Sequence, residues 1–416
     1  MTNTSTIPSW FISNVQPVCT LILLCYTKKG SPLRWINLVS LMFLTIWHYR
    51  TLDQLDMTTP GYVILRIVPL PTLLHTISLL VRIDYDDMWA QEKHRSRFSN
   101  FLCSVRLIMD YSAVGTRWQV RNVPRFPTWL TAQPKRGVFV VRQFLIALWQ
   151  YMLLDFLRHQ LSHNQDVMDD FQRILRDPSA RHAWPLEAAI NLGIWFVLAR
   201  VSLDFRYRFI AVVLVAFGIS PAENWPPMFG SAWQAYTLRN FWGKYWHQTL
   251  RWPLTATSSF FTRTLLQLPH PSLIERYSNL FLAFLVSGVI HLSAQHQGFT
   301  MVPPGAIHFF TSFALAIMVE DCVQAMWASV TGKEDSAGEK KPPMPPALWK
   351  RGIGYIWVTM WLTLLGPFYS YDMAYMGIME PLPLPVSITD NLSVSVTGTL
   401  LGVGMIVGLV GLRGEP

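Results

Sequence analysis

Residues 238–252 read LRNFWGKYWHQTLRW and concentrate more chemistry than any other stretch of the chain. On a helical wheel at about 100° per residue, Leu238, Phe241, Trp242, Tyr245, Trp246 and Trp252 fall in one arc of roughly 140°. Arg239, Asn240, Gly243, Lys244, His247, Gln248 and Arg251 fill the other face, and Leu250 breaks the division. Asn240, Lys244, His247 and Arg251 stack along it. The pattern predicts an interfacial amphipathic helix, with rings toward lipid or core and a basic face toward water or a ligand. A membrane-surface anchor would show the same pattern.

The second candidate is His291, inside the apolar run NLFLAFLVSGVIHL. An ionisable side chain within a span is costly and marks a functional candidate by default. Ser287 and Gly288 precede it by one helical turn and Gln295 follows by one. These three form a small, polar stripe that would turn His291 toward the bundle interior and line a substrate path. A packing histidine bonded to a neighbouring helix is the alternative.

One chemistry joins the two features. Transfer of an acyl group from a thioester to an apolar alcohol needs a buried base to take the hydroxyl proton. Imidazole suits that task, with an ordinary pKa near 6.5. The phosphates of a nucleotide-bearing donor need cations, a role open to Arg239, Lys244 and Arg251. The oxyanion needs a positioned donor, a role open to His247 or Asn240.

These residues carry a resemblance. LRNFWGKYWHQTLRW followed about 40 residues later by SGVIH (287–291) is similar to the wax-synthase-like branch of the membrane-bound O-acyltransferases. Within it, the resemblance is to fungal acetyltransferases that act on terpenoids and meroterpenoids. It covers most of the chain in length and hydropathy, and reaches motif level over about 238–300. It implies His291 as the base, with Trp246 and His247 as the motif's Trp–His pair and Trp242 beside them on the donor side. It also implies acetyl-CoA as co-substrate with no tightly bound cofactor, and a hydroxylated terpenoid or meroterpenoid as acceptor. The family commonly has Arg-Arg where this chain has Lys244-Tyr245, a departure that puts any role needing two adjacent cations in doubt.

The elements that must position these residues follow from composition. The 416-residue chain is 51% apolar and 14% charged, against about 25% charged in soluble domains. That excludes a soluble fold and a disordered chain, and points to an all-α, polytopic membrane protein. The net charge of +9 is spread over loops, with no concentrated patch for nucleic acid. Cys19, Cys25, Cys103 and Cys322 lack metal-ligand spacing and suggest no disulfide framework.

Spans are expected near 10–26, 33–49, 62–83, 138–158, 278–299, 305–327, 353–371 and 393–412. The stretch 188–219 is expected to cross once, with part re-entrant or interfacial because Arg200, Asp204, Arg206 and Arg208 interrupt it. The distribution of Lys and Arg puts 27–32, 84–137, 220–277 and 328–352 in the cytosol, for about nine crossings and a luminal N-terminus. Sequons at Asn3 and Asn391 fall on the luminal side. Residues 1–416 are read as one membrane-embedded acyltransferase domain of the endoplasmic reticulum, with a catalytic core over about 188–330 and a flexible cytosolic linker over 331–346.

Other polar residues read as structural. Arg200 and Asp204 suit an i, i+4 ion pair. Glu320 and Asp321 suit substrate binding, a partner side chain or the interface, with a structural role preferred. Arg66 and His75 are unassigned. Three further readings compete with acetyl transfer: a long-chain wax-ester acyltransferase, a prenyltransferase or terpene cyclase, and a transporter. The second would use Asp84, Asp86 and Asp87 with Asp166, Asp169 and Asp170 to hold Mg²⁺. The transporter would line a pathway with His291, Arg200, Asp204 and Glu320.

Overall fold

The computed structural model describes residues 6–53, 62–83, 97–126, 135–163, 185–294, 305–330 and 346–375, with 387, 397–399, 401, 402 and 404. Regular structure among them is helical, without strands. The helices are α1 (Thr6–Tyr26), α2 (Pro32–Leu52), α3 (Tyr62–Ile67), α4 (Pro69–Arg82), α5 (Arg97–Met109), α6 (Arg136–His163), α7 (Pro185–Ala216), α8 (Leu238–Asn240), α9 (Arg251–Ser259), α10 (Leu273–Ser293), α11 (Gly305–Val330) and α12 (Leu348–Tyr375). Gln295, Asn3, Asn391, both aspartate clusters, linker residues 331–345 and most of 393–412 lie outside the described residues.

Three described stretches are long and apolar enough to cross a membrane: Arg136–Leu157, Leu273–Ser293 and Gly305–Val330. The other expected spans are mostly helical where described but fall short of that standard in length or composition. Two expectations are corrected. Residues 62–83 are not one unbroken helix, because the helix is interrupted at Val68 and restarts with Pro69 in its first turn. Proline lacks the N–H that a continuous helix would need there. Residues 188–219 hold no re-entrant break, since α7 runs unbroken through 32 residues. That is about 48 Å of helix, against an apolar bilayer core of about 30 Å.

The described chain falls into two compact units. The first contains Met1–Arg121, Ala232–Gly243 and Gln248–Trp361. Leu24, Leu38, Leu79, Leu80, Ile83 and Leu107 form a core there, and α9 adds Trp252 and Ala256. Polar side chains tie this core through backbone carbonyls. Arg34 donates to Leu80 O (2.8 Å) and Ile83 O (2.7 Å), near the C-terminal end of α4. His75 donates from Nε2 to Leu107 O at 2.7 Å, while its ring lies against Tyr111 and Trp252. Burial pushes the Tyr111 phenol up to about 12, so it stays protonated beside the Thr72 hydroxyl 2.6 Å away. Arg66, unassigned in the sequence, pairs with Asp53 at 2.7 Å and donates to Ser293 O at 3.1 Å, in the last turn of α10.

α10 begins five residues before the expected span, at a serine N-cap. Ser272 Oγ accepts the Glu275 N–H at 3.1 Å, and Glu275 is held by Arg263 at 2.8 Å. α10 and α11 then pack along each other, and Gly288 sits at a close approach between them. A Cβ there would lie 3.0 Å from Ile307 Cα, so this position is filled by helix packing and does not line an open path.

The second unit contains Asn122–Ser231, Lys244–His247 and Leu362–Pro416. α6 and α7 pair along their length. Phe139, Ala211, Val215 and Ala222 form one cluster, and Leu154 and Val201 another. Asp204 receives Arg208 Nε and Gln150 Nε2, each at 2.7 Å. The expected Arg200–Asp204 pair is therefore corrected: Asp204 pairs one turn forward instead, with Arg208.

Replacing Gly288 with leucine should force α10 and α11 apart. The expected cost is about 1–3 kcal/mol, seen as a lower thermal midpoint of the detergent-solubilised protein, with alanine tolerated better.

Candidate active site

Residues 238–252 are not one amphipathic helix. Thr237 caps α8, its Oγ1 accepting Asn240 N–H at 3.0 Å. A wider π-turn follows over Phe241–Tyr245, the chain bends at Trp246, and α9 restarts at Arg251. The physical reason is Pro253. In a continuous helix its ring would clash with the Thr249 carbonyl and its missing N–H would leave that carbonyl unpaired. Restarting at Arg251 places Pro253 in a first turn, where no N–H is needed. The proline was legible in the sequence, but the wheel stopped one residue before it.

The break leaves carbonyls to satisfy, and Gln248 and the expected ligand residue Arg251 do so. Gln248 Nε2 donates to Trp242 O at 3.2 Å. Arg251 Nη1 donates to Gly243 O at 3.1 Å and to Gln248 Oε1 at 2.6 Å. Arg239 is engaged by Asp321, with Nε to Oδ1 at 3.0 Å and a second bond to Oδ2. The four polar residues thus do not stack on one face. Asn240 and Arg251 fall in the first unit, Lys244 and His247 in the second.

In the first unit, Trp242 and His291 are linked through α11. Trp242 packs on Phe313 (centroids 5.1 Å), Phe310 (6.0 Å) and Phe309 (6.2 Å). Phe310 stacks on the His291 ring at 4.4 Å. His291 Nδ1 is 2.8 Å from the Ser287 carbonyl oxygen. A carbonyl can only accept, so Nδ1 carries the hydrogen and the basic lone pair lies on Nε2. Of the expected stripe, Ser287 therefore sets the tautomer through its backbone.

Glu320 anchors this arrangement. Its carboxylate accepts Leu238 N–H at 2.6 Å and Arg239 N–H at 3.1 Å, at the positive start of α8. Asp321 gathers Arg239, Arg276 and the Tyr277 hydroxyl. Both acids are structural, as their sequence suggested. The contribution of Phe309, Phe310 and Phe313 was missed. An FFxxF pattern in a span reads as packing until its partners are known.

In the second unit, Trp246 packs edge-on against Phe229 (5.3 Å) and Phe196 (5.5 Å), and His247 meets Phe229 at 5.9 Å. Gly230 N–H donates to Tyr245 O at 2.9 Å. A Cβ on Gly230 would lie 2.2 Å from Lys244 O, so only glycine permits that approach. Lys244 is exposed.

The profile of the Membrane bound O-acyl transferase family matches residues 225–326, which hold every one of these motif residues and His291. Acetyltransferase atnC of Arthrinium sp is 37% identical over 319 residues, 74% of this chain and 71% of that protein. Acetyltransferase pyr8 of Aspergillus fumigatus is 35% identical over 75% of this chain and 73% of its own length. Acetyltransferase spyB of Aspergillus fumigatus is 40% identical, over 63% of this chain but 46% of that longer protein. The chain belongs to the membrane-bound O-acyltransferase family. It is an acyl-CoA-dependent O-acyltransferase, a helical membrane enzyme whose relatives here are named as acetyltransferases.

Two substitutions check the geometry. Glu320→Ala leaves the buried Leu238 N–H and the half-buried Arg239 N–H unpaired and should destabilise by about 1–3 kcal/mol, read as a lower thermal midpoint. Gly230→Ala should displace residues 244–247 and lower acyl-transfer rate more than thermal stability.

Proposed function

We propose that this enzyme transfers acetyl from acetyl-CoA to a hydroxyl of an apolar terpenoid or meroterpenoid, with His291 as general base. The carrying observation is the Nδ1–H bond from His291 to the Ser287 carbonyl, which leaves the lone pair on Nε2 in an aromatic setting made by Phe310. Nε2 takes the acceptor's hydroxyl proton as its oxygen bonds to the acetyl carbon. Collapse of the tetrahedral intermediate breaks the C–S bond, and the proton passes to the departing thiolate. Asn240, in the same unit as His291, and His247 are the candidate oxyanion donors. Arg239, Trp242, Lys244, Trp246 and Arg251 are assigned to the donor side, where Lys244 offers an exposed ammonium and Trp246 a packed ring. The roles of Arg239 and Arg251 there are partly positional, given their bonds within the protein. The names of the relatives support acetyl over longer acyl groups, and secondary metabolism as the setting. We place the enzyme in the endoplasmic reticulum membrane, with residues 188–330 as its catalytic core.

Membranes carrying the protein, incubated with labelled acetyl-CoA and a panel of hydroxylated terpenoids, should form acetyl esters detectable by product mass. Both His291→Ala and His291→Gln should lower the rate by about 10²–10⁴-fold. Near-normal transfer by either would exclude His291 as base, and a preference for long-chain acyl-CoA would exclude acetyl transfer.

A further inference from the structure

Arg200 sits near the middle of α7, in the sequence GIWFVLARVSLDF. A cation there needs a partner, because desolvating it alone is costly. The nearest acid in sequence, Asp204, is taken by Arg208 and Gln150. Among the described residues no carboxylate pairs with Arg200, and its Nε is buried without a hydrogen-bond partner. Two rings hold the guanidinium instead, with Cζ 5.0 Å from the Phe229 centroid and 5.9 Å from that of Tyr245. Rings offset part of the desolvation but leave the in-plane N–H donors to be satisfied.

The location narrows the missing partner. Phe229 is the ring on which Trp246 and His247 also pack. Tyr245 follows exposed Lys244, and its carbonyl is clamped by Gly230. The arrangement thus sets Arg200 beside the backbone that carries Lys244. A planar cation on an aromatic seat, with no carboxylate partner among the described residues, is suited to a phosphate, which accepts two parallel N–H bonds.

We infer that Arg200 is a phosphate-binding residue that holds a phosphate group of the acyl-CoA donor. This rests on the reading of the enzyme as acyl-CoA-dependent. A phospholipid headgroup offers the same chemistry, so the test must separate the two sources.

The test uses the full-length protein purified in detergent. Calorimetry with coenzyme A should show binding to the wild type, at least about tenfold weaker binding to Arg200→Gln, and an intermediate affinity for Arg200→Lys. In turnover, Arg200→Gln should raise KM for acetyl-CoA while leaving kcat/KM for S-acetylpantetheine, which lacks the nucleotide phosphates, unchanged. Equal coenzyme affinity in wild type and Arg200→Gln would overturn the inference and leave acyl-CoA dependence intact. So would equal losses on both donors. Loss of co-purified phospholipid from Arg200→Gln, with coenzyme affinity unchanged, would assign the site to lipid and overturn the donor assignment. A wild type that binds no coenzyme A would overturn the underlying acyl-CoA reading instead. If Arg200→Gln does not fold, Arg200→Lys and Phe229→Leu carry the comparison, each expected to weaken coenzyme binding.

Discussion

A single buried carboxylate sets the register of the first unit. Glu320 lies on an apolar helix, where an unpaired charge would be untenable. It is retained because two backbone N–H groups at the start of α8 point at it. Those N–H groups in turn have no intrahelical partner. Each side resolves the other's deficit, so the start of the aromatic–basic segment is fixed against α11. Asp321 extends the tie to α10 through Arg276 and Tyr277.

From that anchor the remaining geometry follows along one face of α11. Phe310, Phe313, Ile317 and Glu320 recur at helical spacing and are buried together. Glu320 holds Leu238, and Phe313 and Phe310 receive Trp242 one turn later. Phe310 also stacks on His291. α11 therefore contacts both the motif, through Glu320 and Phe313, and the imidazole, through Phe310. Gly288 allows α10 to approach α11 closely enough for this contact, and the Ser287 carbonyl one turn before His291 orients its ring.

Much of the site was legible because its residues are chemically out of place. A histidine within an apolar run and a dense aromatic–basic segment stand out without any structure. What misled was periodicity carried too far. The wheel for 238–252 was sound until the chain met Pro253, and it then implied a stack of four polar residues that the broken backbone does not make. Arg200 and Asp204 were read as partners on spacing alone. Spacing makes a pair possible, but Arg208 and Gln150 compete for the same carboxylate, and they occupy it.

The sequence by itself determined helical class, membrane composition, family and the identity of the candidate base, because each is written in local pattern and residue type. Tertiary structure decided the tautomer of His291, the break before α9, the capping role of Glu320 and, among the described residues, the lack of a carboxylate partner for Arg200. These depend on which groups meet across the fold, as Leu238 meets Glu320 across 82 residues. Hydrogen-bond partnership is a competition among all nearby donors and acceptors, and local spacing names only some of the competitors.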